Sequence, residues 1–450
     1  MEPLTALRRA GVSGLLPGLL IGALAPWSAA PTDVDWAEPI EVASGDAHQG
    51  PWRMNESRFR YVDDPTVALG GTGVVGVAWA DQLRKDVLFQ AYSVDGRRRF
   101  AKPTNISRSA RVFSWHPRMV IASDDPSRVF VLWQEIVFSG GSHGGEIFFA
   151  RSADGGRSFE PVLNLSRSRA GDGKGRVTDR LWHNGSLDLV QARDGTLYAA
   201  WTEYEGALWL SLSTDGGQSF SRPTRVVGSD HAGPARGPSL AAGAGGAVYV
   251  AWSVGDDPAA DIRVARSNDG GRSFGPPAVA FESPGHAEAP KLALGREGTL
   301  HLVYGESRTG LFGRYRILYT YSIDDGRHFS EPRALSEPLP PGFQSASFPS
   351  FAIDRDERLS VLWELFPGPA TRPRGLGFTV SNRSGLVFAA PSLVPGSADP
   401  ALGHNGGRQG LLMKKLAVHP GGEIVVVSST FREGDASHIW LFRGQRADGR

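Results

Sequence analysis

An eight-residue segment that recurs along the chain constrains the fold more than any other feature of the sequence. The segment has the form Ser-x-Asp-x-Gly-x-x-Phe. Four copies keep this form, namely SADGGRSF (152–159), STDGGQSF (213–220), SNDGGRSF (267–274) and SIDDGRHF (322–329). Two degenerate copies are SVDGRRRF (93–100) and SNRSGLVF (381–388). Consecutive copies start 54 to 61 residues apart, which predicts an array of similar structural units.

The residue types of this octet predict a β-hairpin turn. An Asp side chain accepts hydrogen bonds from backbone N–H groups two residues further on, which closes a tight turn. Gly supplies the positive φ that such a turn needs, and the Phe can pack beneath the hairpin. The flanking segments 147–151 and 161–165 have strand-like alternation. We therefore expect each octet to join two antiparallel strands.

The octet resembles the Asp box, or bacterial neuraminidase repeat, of the sialidase superfamily of β-propellers. In that family the box joins the third and fourth strands of a blade, on the side away from the active site. The resemblance therefore implies a structural role for the box residues, which are Asp95, Asp154, Gly156, Phe159, Asp215, Gly217, Phe220, Asp269, Gly271, Phe274, Asp324, Gly326 and Phe329. Arg97 replaces the second Gly in the first copy and Arg383 replaces the Asp in the sixth, so these two turns need other partners.

The spacing of the units predicts the number of blades. Each unit contains an apolar run that ends in an aromatic residue; these residues are Trp79, Trp133, Trp201, Trp252, Tyr304 and Trp363. A seventh unit (414–443) lacks a fourth strand, and the segment 36–42, similar to 159–163, can supply it. Between Trp36 and Arg443, seven blades would average about 58 residues each and six about 68; the octet spacing favours seven. We predict an all-β fold, a single β-propeller of seven four-stranded blades closed by an N-terminal strand, with six blades as the alternative.

The composition excludes several functional classes. The 48 basic and 47 acidic residues nearly cancel, so no charge excess indicates nucleic acid or an anionic membrane as a partner. The chain has no cysteine, which excludes disulfides and thiolate metal sites. No motif indicates a cofactor or a metal site, and the sequence leaves the oligomeric state open.

The N-terminal segment predicts export. Arg8 and Arg9 precede an uncharged stretch, 10–27, which is followed by the small residues 28–30. This order is typical of a signal peptide, so we expect a signal at 1–30, a propeller at 31–450 and an extracytoplasmic (periplasmic or secreted) location. The alternative is an uncleaved membrane anchor, because the stretch approaches the ~20 residues of a spanning helix; Pro17 disfavours such a helix.

If the octet turns share one face, the ligand-binding loops lie on the other. Acidic residues follow the central aromatic residues, at Asp81, Glu135, Glu203, Glu306 and Glu364. The candidates for substrate binding are Arg58, Arg60, His116, Arg180, His183, Arg236, Arg308 and Arg408. We also expect Trp115 and Trp182 to be exposed, as residues that stack on sugars. A metal held by His116 and His183 with Glu135 or Glu203 is the alternative to simple packing of these histidines.

The resemblance to sialidases implies specific chemistry. Three arginines would clamp a substrate carboxylate, a Tyr activated by Glu would be the nucleophile, and an Asp would be the general acid. In the family the first arginine lies in a Phe/Tyr-Arg-Ile-Pro motif, but here Asp63 takes its place when the motif is aligned on Pro65. Arg58 or Arg60 would then have to replace it.

The catalytic candidates are Tyr204, Glu203 and Glu306; Tyr204 lies between Glu203 and Glu205. The alternative for Tyr204 is an ordinary residue of a solvated loop. We expect an exported, sialidase-like propeller that binds or hydrolyses glycans on the face opposite the octets. Whether it is an exo-glycosidase stays open. The alternative is a non-catalytic propeller that binds a protein or cell-surface partner, because function depends on sites and not on the fold.

Overall fold

The computed structural model describes residues 34–446, except 52, 54, 97–98, 100–101, 110–111, 137–144, 168–185, 204–205, 228–232, 255–259, 370, 384 and 407–412. Within this part of the chain the structure is built from strands and two short 3-10 turns, Ala244–Gly246 and Pro400–Leu402. Two strands, β1 (Val34–Trp36) and β2 (Ile40–Gly45), come before the first complete blade.

Six sheets of four antiparallel strands follow one another along the chain, each with its strands in sequence order. The first blade has β3 (Val62–Leu69), β4 (Val74–Asp81), β5 (Asp86–Ser93) and β6 (Thr104–Asn105). The second has β7 (Ser114–Ile121), β8 (Val129–Ile136), β9 (Gly145–Ser152) and β10 (Leu163–Asn164). The third has β11 (Leu187–Gln191), β12 (Leu197–Thr202), β13 (Leu208–Ser213) and β14 (Thr224–Val227).

The remaining complete blades repeat this plan. The fourth has β15 (Ala235–Ala242), β16 (Val248–Val254), β17 (Asp261–Ser267) and β18 (Ala278–Phe281). The fifth has β19 (His286–Leu294), β20 (Leu300–Ser307), β21 (Arg316–Ser322) and β22 (Arg333–Ala334). The sixth has β23 (Ser345–Ile353), β24 (Leu359–Phe366), β25 (Leu376–Val380) and β26 (Ser392–Leu393).

The seventh blade joins the two ends of the propeller. It contains β27 (His404–Asn405), β28 (Leu416–Val418), β29 (Glu423–Arg432) and β30 (Ala436–Arg446). Its outer edge is completed by β1 and β2, which both pair antiparallel with β30. The seven-bladed propeller and its closure by an N-terminal strand, as predicted, are confirmed. Pairing β30 with these strands covers an edge that would otherwise be open for association.

The apolar runs of the sequence become the second strand of each blade, which is buried on both faces. In β8 all eight residues are buried. The six central aromatic residues are no more than 2% exposed. Clusters of buried side chains connect neighbouring blades: one of them joins Phe89 of the first blade to Trp133 and Phe159 of the second. The hydrophobic core therefore lies between the blades and fixes each one against the next.

Each octet is a turn between the third and fourth strands of its blade, and it also packs on the preceding blade. In the second blade Ser152 Oγ donates to Asp154 Oδ1 (2.8 Å) and accepts from the Gly156 N–H (2.9 Å), while Asp154 Oδ1 also accepts from the Ser158 N–H (2.9 Å). Gly156 has φ +82°, and a Cβ there would lie 2.0 Å from Phe89 of the first blade. This glycine is needed for both the turn and the contact between blades.

The other intact octets repeat this hydrogen bonding, with Asp215, Asp269 and Asp324 as the acceptors. Their second glycines, Gly217, Gly271 and Gly326, also have positive φ. In the sixth copy, where Arg383 replaces the Asp, the Val387 N–H donates instead to Asn382 Oδ1 (3.4 Å). The first copy keeps the contact of Ser93 Oγ with Asp95 Oδ1 (2.5 Å), but Arg97 is outside the described residues.

In five blades the first strand, which is the inner strand of the propeller, is irregular near its start, on the face opposite the octets. In five blades the pairing register shifts at a residue followed by Pro. The residues before Pro all have positive φ between 51° and 58°; they are Asp64, His116, Gly237, Ala289 and Phe348. Four of them are not glycine, so the bulge stores backbone strain. Such a bulge changes the direction of side chains at a strand end.

Candidate functional site

The face opposite the octet turns carries a cleft between the fifth and sixth blades. Its volume is about 680 Å³. One wall is the end of β20 and the loop from Arg308 to Tyr315, and the other is the segment from Ser336 to Gln344 that leads into β23. The charged lining residues are Glu306, Arg308, Arg314, Arg316 and Glu337. Three arginines and two carboxylates thus give the cleft an excess of one positive charge.

A buried ion pair forms the floor of the cleft. Glu306 follows the inward-facing Tyr304 on β20, and it lies opposite Arg316 in the register of β20 and β21. The Arg316 Nε donates to Glu306 Oε2 at 3.0 Å, and the Glu306 side chain is only 1% exposed. The second carboxylate oxygen, Oε1, has no hydrogen-bond partner in the described part of the chain. This oxygen is buried beneath the surface of the cleft.

The two remaining arginines are exposed. Arg314 Nη2 donates to Gln344 Oε1 across the cleft (3.0 Å). Arg308 forms no hydrogen bond or ion pair with any residue that the structure describes, although it lines the cleft. On the same loop, the Phe312 side chain is 84% exposed. The loop therefore presents a free guanidinium and an aromatic ring to solvent.

Tyr315 is held as a neutral phenol at the base of this loop. Its hydroxyl lies 2.9 Å from His286 Nδ1 and donates to the Leu311 carbonyl (3.1 Å). Burial raises its pKa above the ordinary value, and the carboxylates of Glu288 and Glu306 raise it further. Burial and Glu306 also raise the pKa of Tyr304. These surroundings favour the neutral phenol of both tyrosines over the phenolate.

A second group of titratable side chains lies on the same face, near the starts of β3 and β7. It consists of Asp63, Asp64 and His116. Burial raises the pKa of Asp63 to about 6; Asp64 adds to this shift, and the hydrogen bond from Ser429 Oγ (2.6 Å) opposes it. Burial likewise raises the pKa of Asp64 to about 6. Asp64 Oδ2 accepts from the His116 N–H (3.2 Å) and lies 3.8 Å from His116 Nε2. Burial, then Arg118, lowers the pKa of His116 to about 3, which keeps its imidazole neutral.

The structure brings two of the predicted site residues together, since Glu306 and Arg308 line the same cleft. Five other predicted residues do not line this cleft; they are Arg58, Arg60, His116, Glu203 and Arg236. Arg58 and Arg60 are exposed before the first blade, where Arg60 lies 3.6 Å from Asp46. His116 is buried beside Asp64, and Arg236 Nη1 donates to the carbonyl oxygens of Ala235 (3.1 Å) and Glu203 (3.4 Å). Tyr204, Arg180, His183 and Arg408 are outside the described residues, as are Glu205 and Trp182.

The expectation that Trp115 is exposed is wrong. Its side chain is 1% exposed, and Nε1 donates to Gln82 Oε1 (2.9 Å). The ring packs against Phe113, with centroids 5.4 Å apart. Burial of both the ring and its N–H group leaves no face for a sugar.

Glu135 is also engaged within the protein: it accepts from Trp133 Nε1 (2.9 Å) and Ser114 Oγ (3.3 Å). Across the part of the chain that is described, no three His, Cys, Asp or Glu side chains are arranged to hold a metal ion. In the same residues no helix is long and apolar enough to cross a membrane.

Arg314, Tyr315 and Arg316 were not among the residues predicted from the sequence. Arg314 and Tyr315 lie in the connection from β20 to β21, which has no fixed position within the repeat, and Arg316 is the first residue of β21. One signal was present: three arginines and two aromatic residues occur within nine residues, RTGLFGRYR (308–316). This concentration of guanidinium groups at a strand end is the feature that singles out the loop in the sequence.

No family model matches the chain, and no curated protein matches it. The fold is similar to that of an ulvan lyase, a polysaccharide lyase bound to -[GlcA(1-4)Rha3S]-, with a TM-score of 0.50, 12% identity, and 90% of this chain and 96% of that chain covered. For a Penicillium chrysogenum α-L-arabinanase the TM-score is 0.49 at 16% identity, with 72% of this chain and 92% of that chain covered. For the Hadza microbial sialidase Hz136 the TM-score is 0.48 at 14% identity, with 72% of this chain and 66% of that chain covered. Likeness at these identities concerns the fold alone.

Proposed function

We propose that the protein binds glycans that carry a carboxylate, and that the sugar occupies the cleft between the fifth and sixth blades. The observation that carries this proposal is the set of three arginines on one cleft, of which Arg308 has no partner among the described residues. A guanidinium recognises a carboxylate through two parallel hydrogen bonds. The ulvan lyase with a similar fold is bound to a polymer that contains GlcA, a sugar with such a carboxylate.

The parts of the cleft suit the parts of an acidic sugar. Arg308 and Arg314 face solvent and would pair with the carboxylate. Phe312 would stack on the apolar face of the ring, which is how aromatic side chains bury sugars against their own surface.

Binding is proposed ahead of sialidase-type hydrolysis because the first-arginine motif of sialidases is not found and the surroundings of the nearby tyrosines favour their neutral form. The pKa of Tyr315 and the pKa of Tyr304 both lie above the ordinary value, whereas the sialidase mechanism needs a Tyr activated as a nucleophile. Tyr204 with Glu203 stays a candidate for that role. Turnover of a sialoside by wild type that is lost in Tyr204→Phe would assign hydrolysis to it.

The binding experiment compares glycans that differ only in the carboxylate. Oligosaccharides rich in uronic acid and their carboxyl-reduced counterparts would be titrated into the wild-type protein by calorimetry. We expect binding of the acidic form only, and a loss of about tenfold or more in Arg308→Ala, since hydrogen bonds between charged groups each contribute ~1.5 kcal/mol or more. Arg222→Ala, an exposed arginine on the octet face, is the control. Equal affinity for reduced and acidic glycans would overturn the proposal.

Export belongs to the same proposal, because glycans of this kind are met outside the cytoplasm. It rests on the segment 1–30 of the sequence, which lies outside the described residues. Fractionation of cells that express the full chain tests it: we expect the shortened protein outside the cytoplasm, and full-length protein in the cytoplasm would contradict export.

A further inference from the structure

The loop 308–314 at the cleft turns at its middle, at Leu311 and Phe312. The Gly313 N–H donates to the Gly310 carbonyl (3.0 Å), so these two residues are the central pair of a four-residue β-turn. Phe312 lies at the tip of the turn and is 84% exposed. A ring so exposed packs on little of the protein, so its own contacts do not fix its position.

The hydroxyl of Tyr315 bonds this turn to the body of the propeller. It donates to the carbonyl oxygen of Leu311 at 3.1 Å and lies 2.9 Å from Nδ1 of His286. Leu311 is next to Phe312 in the turn, and His286 is the first residue of β19, the inner strand of the fifth blade. The tyrosine therefore links the tip of the loop to an inner strand.

The two contacts of this hydroxyl together determine the direction of each hydrogen bond. A phenol carries a single hydrogen, and a carbonyl oxygen can only accept. The Tyr315 hydroxyl therefore donates to Leu311 and accepts from His286, which places the proton of the neutral imidazole on Nδ1. Burial raises the pKa of Tyr315, and this favours the protonated hydroxyl that the arrangement needs.

The backbone of Tyr315 is held separately from its side chain. Its N–H donates to Ser345 Oγ (2.9 Å), and its carbonyl oxygen accepts from the Ala346 N–H (2.9 Å). Both partners belong to β23 of the sixth blade, and Tyr315 is only 9% exposed. The hydroxyl thus has a fixed position from which it can hold the loop.

The two ends of the loop also approach each other closely. A Cβ at Gly313 would lie 2.1 Å from Ser307 Oγ and 2.1 Å from Thr309 Oγ1. Glycine therefore lets the end of the loop pass directly over its start. Because the loop is this compact, a hydrogen bond at Leu311 restrains the residues on both sides of it.

We infer that Tyr315 and His286 are a positioning pair for the proposed glycan site, and that they hold the loop 308–314 in the conformation that binds the sugar. The inference rests on the proposed function, because this loop carries Phe312 and two of the three arginines of the cleft. A loop that is ordered before the ligand arrives loses less conformational entropy on binding, which increases affinity. Neither residue of the pair has to touch the sugar for this effect.

Amide hydrogen exchange of the free protein tests whether the pair holds the loop. Tyr315→Phe keeps the ring and removes only the hydroxyl. We expect the Gly313 amide to exchange about fivefold faster or more in this variant, since one hydrogen bond to the turn is lost. The Ala346 amide, which is bonded to the Tyr315 carbonyl, should exchange as in wild type, and this shows that the variant is folded. Tyr321→Phe, which removes a hydroxyl from β21 of the same blade, is the control. An unchanged rate at Gly313 in Tyr315→Phe would overturn the inference.

Substitutions of His286 test the direction of the hydrogen bonds. An Asn side chain places its amide near the position of Nδ1, whereas a Gln side chain places it near Nε2. His286→Asn should therefore keep slow exchange at Gly313, and His286→Gln should accelerate it as Tyr315→Phe does. Because the two residues act as one unit, the double variant of Tyr315→Phe with His286→Gln should exchange no faster than either single variant. Additive effects would contradict a shared role.

Calorimetry with the uronic acid oligosaccharide of the proposed function tests the positioning role itself. Tyr315→Phe should weaken binding about fivefold or more, and Tyr321→Phe should bind as wild type does. If the Gly313 amide exchanges faster in Tyr315→Phe but the affinity is unchanged, order in the loop does not serve the sugar and the positioning role is overturned. If wild type binds no acidic glycan, the proposed function and the positioning role both fail, while the exchange rates, measured without glycan, still show whether Tyr315 holds the loop.

Discussion

Arg316 Nε donates to Glu306 Oε2 at 3.0 Å, and the carboxylate it satisfies is 1% exposed. Removing the arginine would leave that carboxylate buried and uncompensated, which is far more costly than removing both partners. We expect Arg316→Met to lower the free energy of unfolding by about 2–3 kcal/mol. The double variant with Glu306→Gln should regain much of this loss. Urea denaturation measures both, and equal losses in the single and double variants would contradict the coupling.

The octet glycines offer a matched pair of substitutions in one turn. Gly155 and Gly156 both have positive φ, but a Cβ at 155 meets nothing within 4 Å whereas one at 156 lies 2.0 Å from Phe89. Gly155→Ala should therefore cost only the left-handed backbone, about 1–2 kcal/mol. Gly156→Ala should cost more than about 3 kcal/mol, because the overpacked Phe89 must also move. Similar losses in denaturant unfolding would show that contact between the blades is unimportant there.

Much of the fold could be predicted because its signals are local and repeated. The octet fixes a turn by its own hydrogen bonds, so each copy marks a blade regardless of the rest of the chain. The likeness of 36–42 to 159–163 also gave the closing strand, since β1 and β2 pair with β30. The prediction for Trp115 was wrong because sequence position near a loop does not show that a bulge turns the ring toward Phe113 and Gln82.

The site could be predicted only in part. Glu306 follows a central aromatic residue within two positions, as acidic residues do in four other blades, so the repeat indicated it; Arg308 was singled out only because it is close to Glu306. Arg314 and Arg316 return on the other side of a loop without repeat position.

Closure of the ring should depend on the buried side chain of β2. Val42 is 7% exposed and packs in the cluster that joins the first and seventh blades. Val42→Ala removes two methyl groups from it, which we expect to cost about 1.5–2.5 kcal/mol. Glu38→Ala, at an exposed position between β1 and β2, is the control. Limited proteolysis should also release the N-terminal segment faster in Val42→Ala; equal rates would show that β2 is not part of the cooperative fold.

Stability should depend on pH through Asp64. Its pKa is about 6 in the folded protein against ~3.9 when unfolded, so the folded state binds more protons between these values. The contribution of Asp64 is therefore fully present below pH ~4 and lost as pH rises through about 6. Asp64→Asn cannot ionise, so its stability relative to wild type should increase between pH 4 and 7.5, by about 1–3 kcal/mol.

His116 changes the pH dependence of stability in the opposite direction, so each variant is compared with wild type at the same pH. The lowered pKa of His116, about 3, means that the unfolded state binds the extra proton, and its contribution to stability grows as pH rises toward 6.5. Where His116 keeps its surroundings, its contribution to the free energy of unfolding is the same in wild type and in Asp64→Asn, and it cancels in their comparison. Asp35→Asn, at an exposed position, should show no change of relative stability with pH. A similar profile for Asp35→Asn and Asp64→Asn would contradict the assignment to Asp64.

Phe312 should matter for glycan binding and not for folding. Its ring is 84% exposed on the loop that carries Arg308 and Arg314, and Ile323, 80% exposed, offers an equally exposed apolar residue on the octet face. Phe312→Ala should leave the free energy of unfolding within about 0.5 kcal/mol of wild type, because the ring packs on little in the free protein. Its affinity for the acidic glycan should fall about tenfold, since covering a large apolar side chain contributes ~1.5 kcal/mol or more. Ile323→Ala should change neither quantity. If calorimetry shows the two variants with the same affinity, the sugar does not stack on this loop, and the arginines would have to hold it at the opposite wall of the cleft, beside Gln344.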